Sequence, residues 1–144
     1  MKVIESDLKF NGYKIKELKY EQYNVIPNDV INYSITINPE IKFQEDILSA
    51  LLKLGLVILG KQKEEKVIEL SVLIEGIFST DKIKQDEFKK LVMSNGVATL
   101  ITILRSFIAS FSSQIGNMSP IIMPLINVQA SIEDEENLKN KDHI

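Results

Sequence analysis

The sequence predicts an α+β domain, with a four-stranded antiparallel sheet followed by a long helix and a short C-terminal helix. In the first half, apolar residues alternate with polar ones, as Ile31, Tyr33, Ile35 and Ile37 do. This period of two is typical of a half-buried strand. In the second half the apolar residues recur every three or four positions, which is typical of helices. Strands that precede helices along the chain favour an antiparallel sheet.

Four segments are predicted as strands. An Asn11-Gly12 turn signal precedes the first, and Pro39 interrupts the second, whose odd-numbered face continues at Ile41 and Phe43. The third is an unbroken apolar run that fits either a helix or a central strand. A short polar loop over residues 60–66 favours a hairpin with the fourth. The predicted strands are residues 13–25, 31–43, 47–59 and 67–78.

Two helices are predicted next. Asp81 is expected to cap a helix that contains Phe88 and is ended by Asn95-Gly96. The long helix covers residues 97–115, and its wide apolar stripe indicates burial on more than one side. The apolar segment 117–128 that follows is broken by two prolines, so it cannot form a regular helix or a central strand.

Length and composition limit the possible functions. The chain has 144 residues, of which 44% are apolar, and we expect one domain over residues 1–132 and a charged, flexible tail over residues 133–144. A net charge of −3 argues against a nucleic-acid-binding protein. Apolar runs shorter than the roughly 20 residues of a membrane span, together with no signal-peptide pattern, predict a cytoplasmic protein that does not insert into membranes.

Catalytic and metal sites are not indicated. The chain has no cysteine, and its one histidine, His143, is expected to be inert. These counts exclude thiolate metal sites, disulfides and cysteine nucleophiles, and they argue against histidine-based catalysis. No glycine-rich phosphate loop or nucleophile motif is present. We therefore expect no enzyme activity, no metal and no cofactor, although carboxylate, serine, lysine or tyrosine chemistry stays an alternative.

Three motifs, in order along residues 10–130, resemble the SecB protein-export chaperone family. The first is Glu75-Gly76-Ile77-Phe78, which resembles the end of the family's fourth strand. The second is the long helix with Arg105 that ends at Gly116. The third is Pro124-Leu125-Ile126-Asn127, which is similar to the junction before the family's last helix.

The resemblance implies a SecB-like fold assembled as a homotetramer, a dimer of dimers. It implies an ATP-independent holdase whose apolar grooves bind unfolded or pre-secretory polypeptides. Export members dock a translocase ATPase through acidic residues, one of which falls here on Ser71. The chain looks like the divergent members that hold an antitoxin. A dedicated chaperone of an antitoxin, or an adaptor of a mobile element, is therefore the alternative function.

Seven apolar residues are candidates for the client groove, because exposed apolar patches mark interaction sites. A rigid proline-bounded segment would present its side chains at low entropic cost, and Met adapts to varied partners. The alternative for the strand residues is ordinary sheet core, and for the proline-bounded residues it is a buried loop against the sheet or a subunit interface. The candidates are Tyr33, Ile35, Phe43, Ile121, Ile122, Met123 and Leu125.

Glu69 and Glu75 are candidates for docking a partner such as the translocase. Their strand spacing puts them on one face, roughly 20 Å apart at about 3.3 Å per residue. This separation is too large for an acid–base pair. A solvated sheet face is the alternative, and for Arg105 we expect a salt bridge or a snorkelling side chain.

Overall fold

The computed structural model describes residues 1–44, 46, 48–116 and 119–142. It contains four strands and then helices, so the predicted fold class is confirmed. Ile47, where the third strand is predicted to begin, and His143 lie outside the described residues. The strands are β1 Lys9–Gln22, β2 Asn32–Gln44, β3 Ser49–Gln62 and β4 Glu65–Ser79. The helices are α1 Gln85–Leu91, a π-helical turn Val92–Gly96, α2 Val97–Ser113 and α3 Val128–Asp142.

The chain divides into two compact units. The first, Met1–Met93, contains the sheet and α1, and the second, Ser94–Ile144, contains α2 and α3. The single domain predicted over residues 1–132 stays a prediction. The flexible tail predicted from residue 133 begins inside α3, which is helical up to Asp142 and contains no buried residue.

The strands pair antiparallel in the order β1-β4-β3-β2. The two central strands are joined by a two-residue turn, Lys63-Glu64, in which both residues have positive φ of 50° and 67°. This conformation is that of a type I′ hairpin turn, whose twist matches that of the flanking strands. The predicted hairpin is therefore present, and its loop is shorter than the predicted residues 60–66.

The core of the first unit is the face formed by the even-numbered residues of β3 and β4, here called the inner face. Strand alternation puts these side chains on one side of the sheet. Nearly all of them are inaccessible to solvent, whereas most odd-numbered side chains of the same two strands are partly exposed. The buried apolar residues of this face are Ala50, Leu52, Leu54, Leu56, Ile58, Ile68, Leu70, Val72, Ile74 and Phe78.

Two strand predictions are wrong in detail. Asn11-Gly12 does not form a turn, because β1 already begins at Lys9. Gly12 has φ 117°, and the pairing with β4 shifts between Phe10 and Tyr13, as in a β-bulge. Pro39 does not interrupt β2, because β2 lies at the edge of the sheet, where a missing N–H is tolerated.

Two helix-boundary predictions are also wrong. Asp81 does not cap α1, which begins at Gln85 and has no side-chain cap. Instead, the Asp81 carboxylate accepts a hydrogen bond of 3.0 Å from Lys9 on β1, and this bond lowers the pKa of Asp81. Gly96 does not end the first helix, because its φ of −64° and ψ of −48° are helical.

The helical residues Gln85–Ser113 are, by length and composition alone, apolar enough to cross a membrane. This length arises because the helical backbone continues through Asn95-Gly96, where the sequence predicts a break between two shorter helices. Core helices of soluble proteins pass the same test. The residues buried on α2 recur every three or four positions, among them Leu100, Leu104 and Ile108.

Two glycines of β3 provide a matched test of packing on this sheet. A Cβ on Gly60 would lie 2.9 Å from Ile31 Cγ2 and 3.0 Å from Tyr33 Cε1. On Gly55 it would meet only the Asn38 carbonyl oxygen, at 3.8 Å. We expect Gly60→Ala to lower the free energy of unfolding by about 1–3 kcal/mol. Gly55→Ala should change it by less than about 1 kcal/mol.

Urea unfolding of the two variants beside the parent protein measures these changes. Equal effects of the two substitutions would contradict the close packing of Tyr33 over Gly60.

Candidate functional site

The predicted client-binding residues fall in both compact units. Tyr33, Ile35 and Phe43 lie on β2 in the first unit, and the other four lie between α2 and α3 in the second. The three β2 residues share one face, because each is an odd-numbered position paired with an even-numbered position of β3. They therefore extend the inner face to the edge of the sheet.

This edge of the inner face is only partly covered. Tyr33 is 39% exposed, and Ile35 and Phe43 are half-buried. Burial raises the pKa of the Tyr33 phenol above its ordinary value of 10.0, so Tyr33 is neutral at physiological pH. An edge strand also has one row of backbone groups without a strand partner. The β2 edge thus combines apolar side chains with free hydrogen-bonding positions.

Phe43 is held by α1 of the same unit. Its ring meets the ring of Phe88 edge-to-face, with 6.1 Å between centroids. The ammonium of Lys89 lies 5.1 Å from the Phe43 centroid, within cation–π range. These contacts restrict the Phe43 ring, and Tyr33 is the most exposed member of the β2 group.

The predicted residues of the proline-bounded segment separate into two pairs. Ile121 and Met123 are 3% and 2% exposed, whereas Ile122 and Leu125 are 70% and 90% exposed. Residues 119–127 have no regular secondary structure. The inward pair anchors the segment, and only Ile122 and Leu125 are available to a partner. Ile121 and Met123 therefore match the buried-loop alternative.

Side chains of α2 fix this segment in place. The Ile121 N–H donates to the buried hydroxyl of Ser112 at 2.7 Å. Arg105 donates through Nε to the carbonyl oxygen of Met123 at 3.3 Å and through Nη2 to that of Pro124 at 3.0 Å. Instead of the expected salt bridge or snorkelling, Arg105 forms hydrogen bonds with two backbone carbonyls. We call this pair of bonds the clamp. A fixed segment loses little conformational entropy when a partner binds.

The two predicted docking carboxylates share the outer face of β4, opposite the inner face. Glu75 is 5% exposed and has three lysine partners, at 3.8 Å for Lys14, 3.5 Å for Lys16 and 3.8 Å for Lys53. Glu69 is paired with Lys66 at 2.8 Å. Both carboxylates are thus neutralised by lysines, and the surface around Glu75 is basic rather than acidic.

The lysines around Glu75 could not be identified from the sequence. Lys14 and Lys53 are the residues directly opposite Glu75 on the two neighbouring strands. This relation depends on the pairing register, which alternation within one strand does not specify. In the part of the chain that the structure describes, no group of three acidic, histidine or cysteine side chains is arranged to hold a metal ion.

Glu75→Gln removes the one carboxylate shared by three lysines. We expect the free energy of unfolding to fall by about 1–3 kcal/mol, because a nearly buried partner is lost and the three ammonium groups then repel one another. The matched change on the same strand is Glu69→Gln, which breaks a surface pair and should cost less than about 1 kcal/mol.

Thermal and urea unfolding at low and high salt measure both variants. An equal loss of unfolding free energy in the two variants would show that Glu75 contributes no more through its three lysine partners than Glu69 does through its surface pair.

Arg105→Ala removes the clamp on residues 119–127. Since hydrogen bonds to a charged group contribute about 1.5–3 kcal/mol, we expect a stability loss of about that size and faster amide exchange in this segment. Arg105→Lys keeps the charge but not the planar fork of donors, so its stability should lie between those of the parent protein and Arg105→Ala. Unchanged exchange of residues 119–127 in Arg105→Ala would contradict the clamp.

Known proteins provide a fold for comparison. No protein-family model matches the chain. An uncharacterized protein of Methanocaldococcus jannaschii is 25% identical over 138 residues, which cover 93% of this chain and 88% of that protein. A structure of a protein of unknown function from Streptococcus agalactiae has a TM-score of 0.44 at 11% identity, with 82% and 97% of the two chains covered.

A SecB-like chaperone of Mycobacterium tuberculosis, solved with a ChAD peptide from the HigA1 antitoxin, superposes with a TM-score of 0.72. The match covers 84% of this chain and 91% of that chain at 9% sequence identity. A likeness at this identity concerns the fold. The chain therefore has the SecB-like fold, as its three sequence motifs indicate.

Proposed function

We propose that the protein is an ATP-independent chaperone that holds a dedicated polypeptide partner, such as an antitoxin. The observation that carries this proposal is the presence of two exposed apolar side chains, Ile122 and Leu125, on a clamped segment of a SecB-like fold. The peptide bound to the Mycobacterium tuberculosis chaperone comes from an antitoxin. That complex supports a dedicated partner more directly than it supports a broad holdase.

Affinity for the partner would come from two sources. Apolar side chains of the partner would bury Ile122 and Leu125, and such burial contributes about 25 cal/mol per Å². An extended partner could also add main-chain hydrogen bonds along the free edge of β2, next to Tyr33 and Ile35. Neither step requires a nucleotide or a catalytic group, so we assign no enzymatic reaction to the protein.

A general holdase for unfolded or pre-secretory chains is the second candidate. The accessible apolar positions favour it, because burial of this kind is not sequence-specific. Docking of a translocase ATPase receives less support, since Glu69 and Glu75 already have lysine partners. The cytoplasmic location expected from the sequence and the dimer of dimers that the family resemblance implies are part of the proposal.

The test compares the double variant Ile122→Asp/Leu125→Asp with a control, Leu138→Asp. Leu138 is also an exposed leucine, but it lies on α3, outside residues 119–127. The first assay is light scattering of a chemically unfolded model protein diluted with each variant, without ATP. The second identifies proteins that co-purify with each tagged variant from native cells. We expect the double variant to weaken partner binding at least about tenfold, because full burial of each side chain contributes about 1.5–3 kcal/mol.

The outcomes separate the two candidates. Loss of one co-purified partner in the double variant, with no suppression of aggregation by the parent protein, supports the dedicated chaperone. Suppression of aggregation that the double variant loses supports the general holdase. A double variant that keeps both properties, with its fold intact by circular dichroism, would refute the proposed site.

A further inference from the structure

The outer face of the sheet has a groove near the end of β2 that contains Phe43, away from Tyr33 and Ile35. Two adjoining cavities, of about 460 and 340 Å³, lie at the end of the sheet where β3 begins and β4 ends. Leu51 and Ile77 line both cavities, so they form a shared floor. The first cavity reaches Lys14 on β1 and the second reaches Lys42 on β2. We call this feature the cross-sheet groove.

The floor of the groove is apolar and partly open to solvent. Ile77 is 47% exposed and Leu51 is half-buried, and the two residues are directly opposite each other in the β3–β4 pairing. An exposed isoleucine flanked by a second apolar side chain is suited to contact one apolar side chain of a partner.

The rim of the groove carries an excess of positive charge. Lys14, Lys16 and Lys53 share the single carboxylate of Glu75, which is 5% exposed and therefore not accessible to a partner. On β2, Lys42 and Glu40 add one charge of each sign, opposite Leu51 and Lys53. Lys14 and Lys42 line the groove itself, and Lys16 and Lys53 reach it through their contacts with Glu75. Lys14 and Lys16 keep 67% and 47% of their side chains exposed.

We propose that the cross-sheet groove binds an acidic polypeptide segment in which one apolar residue is flanked on both sides by carboxylates. The apolar residue would contact Ile77 and Leu51, and the carboxylates would pair with Lys14 and Lys16 at one end and with Lys42 at the other. Four strands about 4.8 Å apart span about 14 Å, or roughly four extended residues. The carboxylates are therefore expected about two positions to either side of the apolar residue.

A polypeptide fits this surface better than a nucleic acid does. The groove has an aliphatic floor between positive ends, whereas electrostatic binding of a phosphate backbone does not need an aliphatic floor. The protein as a whole has a net charge of −3, which opposes a polyanion. The lysines of the groove would thus attract only the nearby carboxylates of the partner. This attraction would raise the specificity and the association rate of binding, and the apolar contact would add affinity.

The test uses a fluorescein-labelled nonapeptide with leucine at its centre, glutamates two and three positions to either side, and glycine elsewhere. Control peptides replace the leucine by alanine or the glutamates by lysine. A single-stranded oligonucleotide of equal charge is the polyanion control. Fluorescence anisotropy with the full chain gives the dissociation constants at low and high ionic strength.

We expect the leucine–glutamate peptide to bind more tightly than all three controls, and its affinity to fall as salt increases. Lys14→Glu/Lys16→Glu and Ile77→Asp should each weaken it at least about tenfold. Lys19→Glu is the matched control, because it reverses an exposed charge on β1 at a position opposite Ser71, away from the groove. It should change the affinity less than about twofold.

Equal binding of the oligonucleotide, or unchanged binding by the folded Lys14→Glu/Lys16→Glu variant, would overturn the proposal. The proposal would also be overturned if the wild-type protein were an oligomer and the variant dissociated, since a second copy of the chain would then occupy the groove. The proposal does not rest on the chaperone function. Ile122→Asp/Leu125→Asp should keep peptide binding, and Lys14→Glu/Lys16→Glu should keep client binding, so failure of one leaves the other intact.

Discussion

Pairing of β3 with β4 through the Lys63-Glu64 turn places the two most apolar strands at the centre of the sheet, and the other elements of the first unit depend on that pair. Each central strand has a neighbour on both sides, and its even-numbered side chains are almost completely buried. The same order leaves β1 and β2 at the edges. Their side chains on the inner face, such as Tyr13 and Tyr33, are consequently only half covered. The partly exposed apolar side chains of β2 are therefore a consequence of its place at the edge of the sheet.

The two faces of the sheet have different chemistry because the strands alternate. The inner face is apolar throughout its centre and depends on dispersion and exclusion of water. The outer face combines apolar residues such as Leu51 with the lysine cluster around Glu75. In the second unit, Arg105 has a related positioning role, since it fixes backbone carbonyls rather than a carboxylate. In the first unit the buried Glu75 positions exposed lysines, and in the second the Arg105 clamp positions the exposed Ile122 and Leu125.

The fold class and the inner face of β4 could be predicted because alternation within one strand specifies which side chains share a face. The lysine partners of Glu75 could not, because they depend on the register between strands. Asn11-Gly12 and Asn95-Gly96 were misinterpreted for a common reason. Glycine permits turns, bulges and helical backbone alike, so the dipeptide alone does not distinguish a turn from the bulge at Gly12 or the helical Gly96. In residues 119–127, with no regular period, nothing in the sequence separates buried Met123 from exposed Ile122.

We propose that a polypeptide partner binds the β2 edge and the exposed side chains of residues 119–127. Amide hydrogen exchange of the full chain, free and saturated with an unfolded client, measures this most directly. We expect slower exchange along β2 and within residues 119–127 when the client is bound, and little change in β4, whose amides are already paired on both sides. Protection elsewhere with none in these two segments would contradict it.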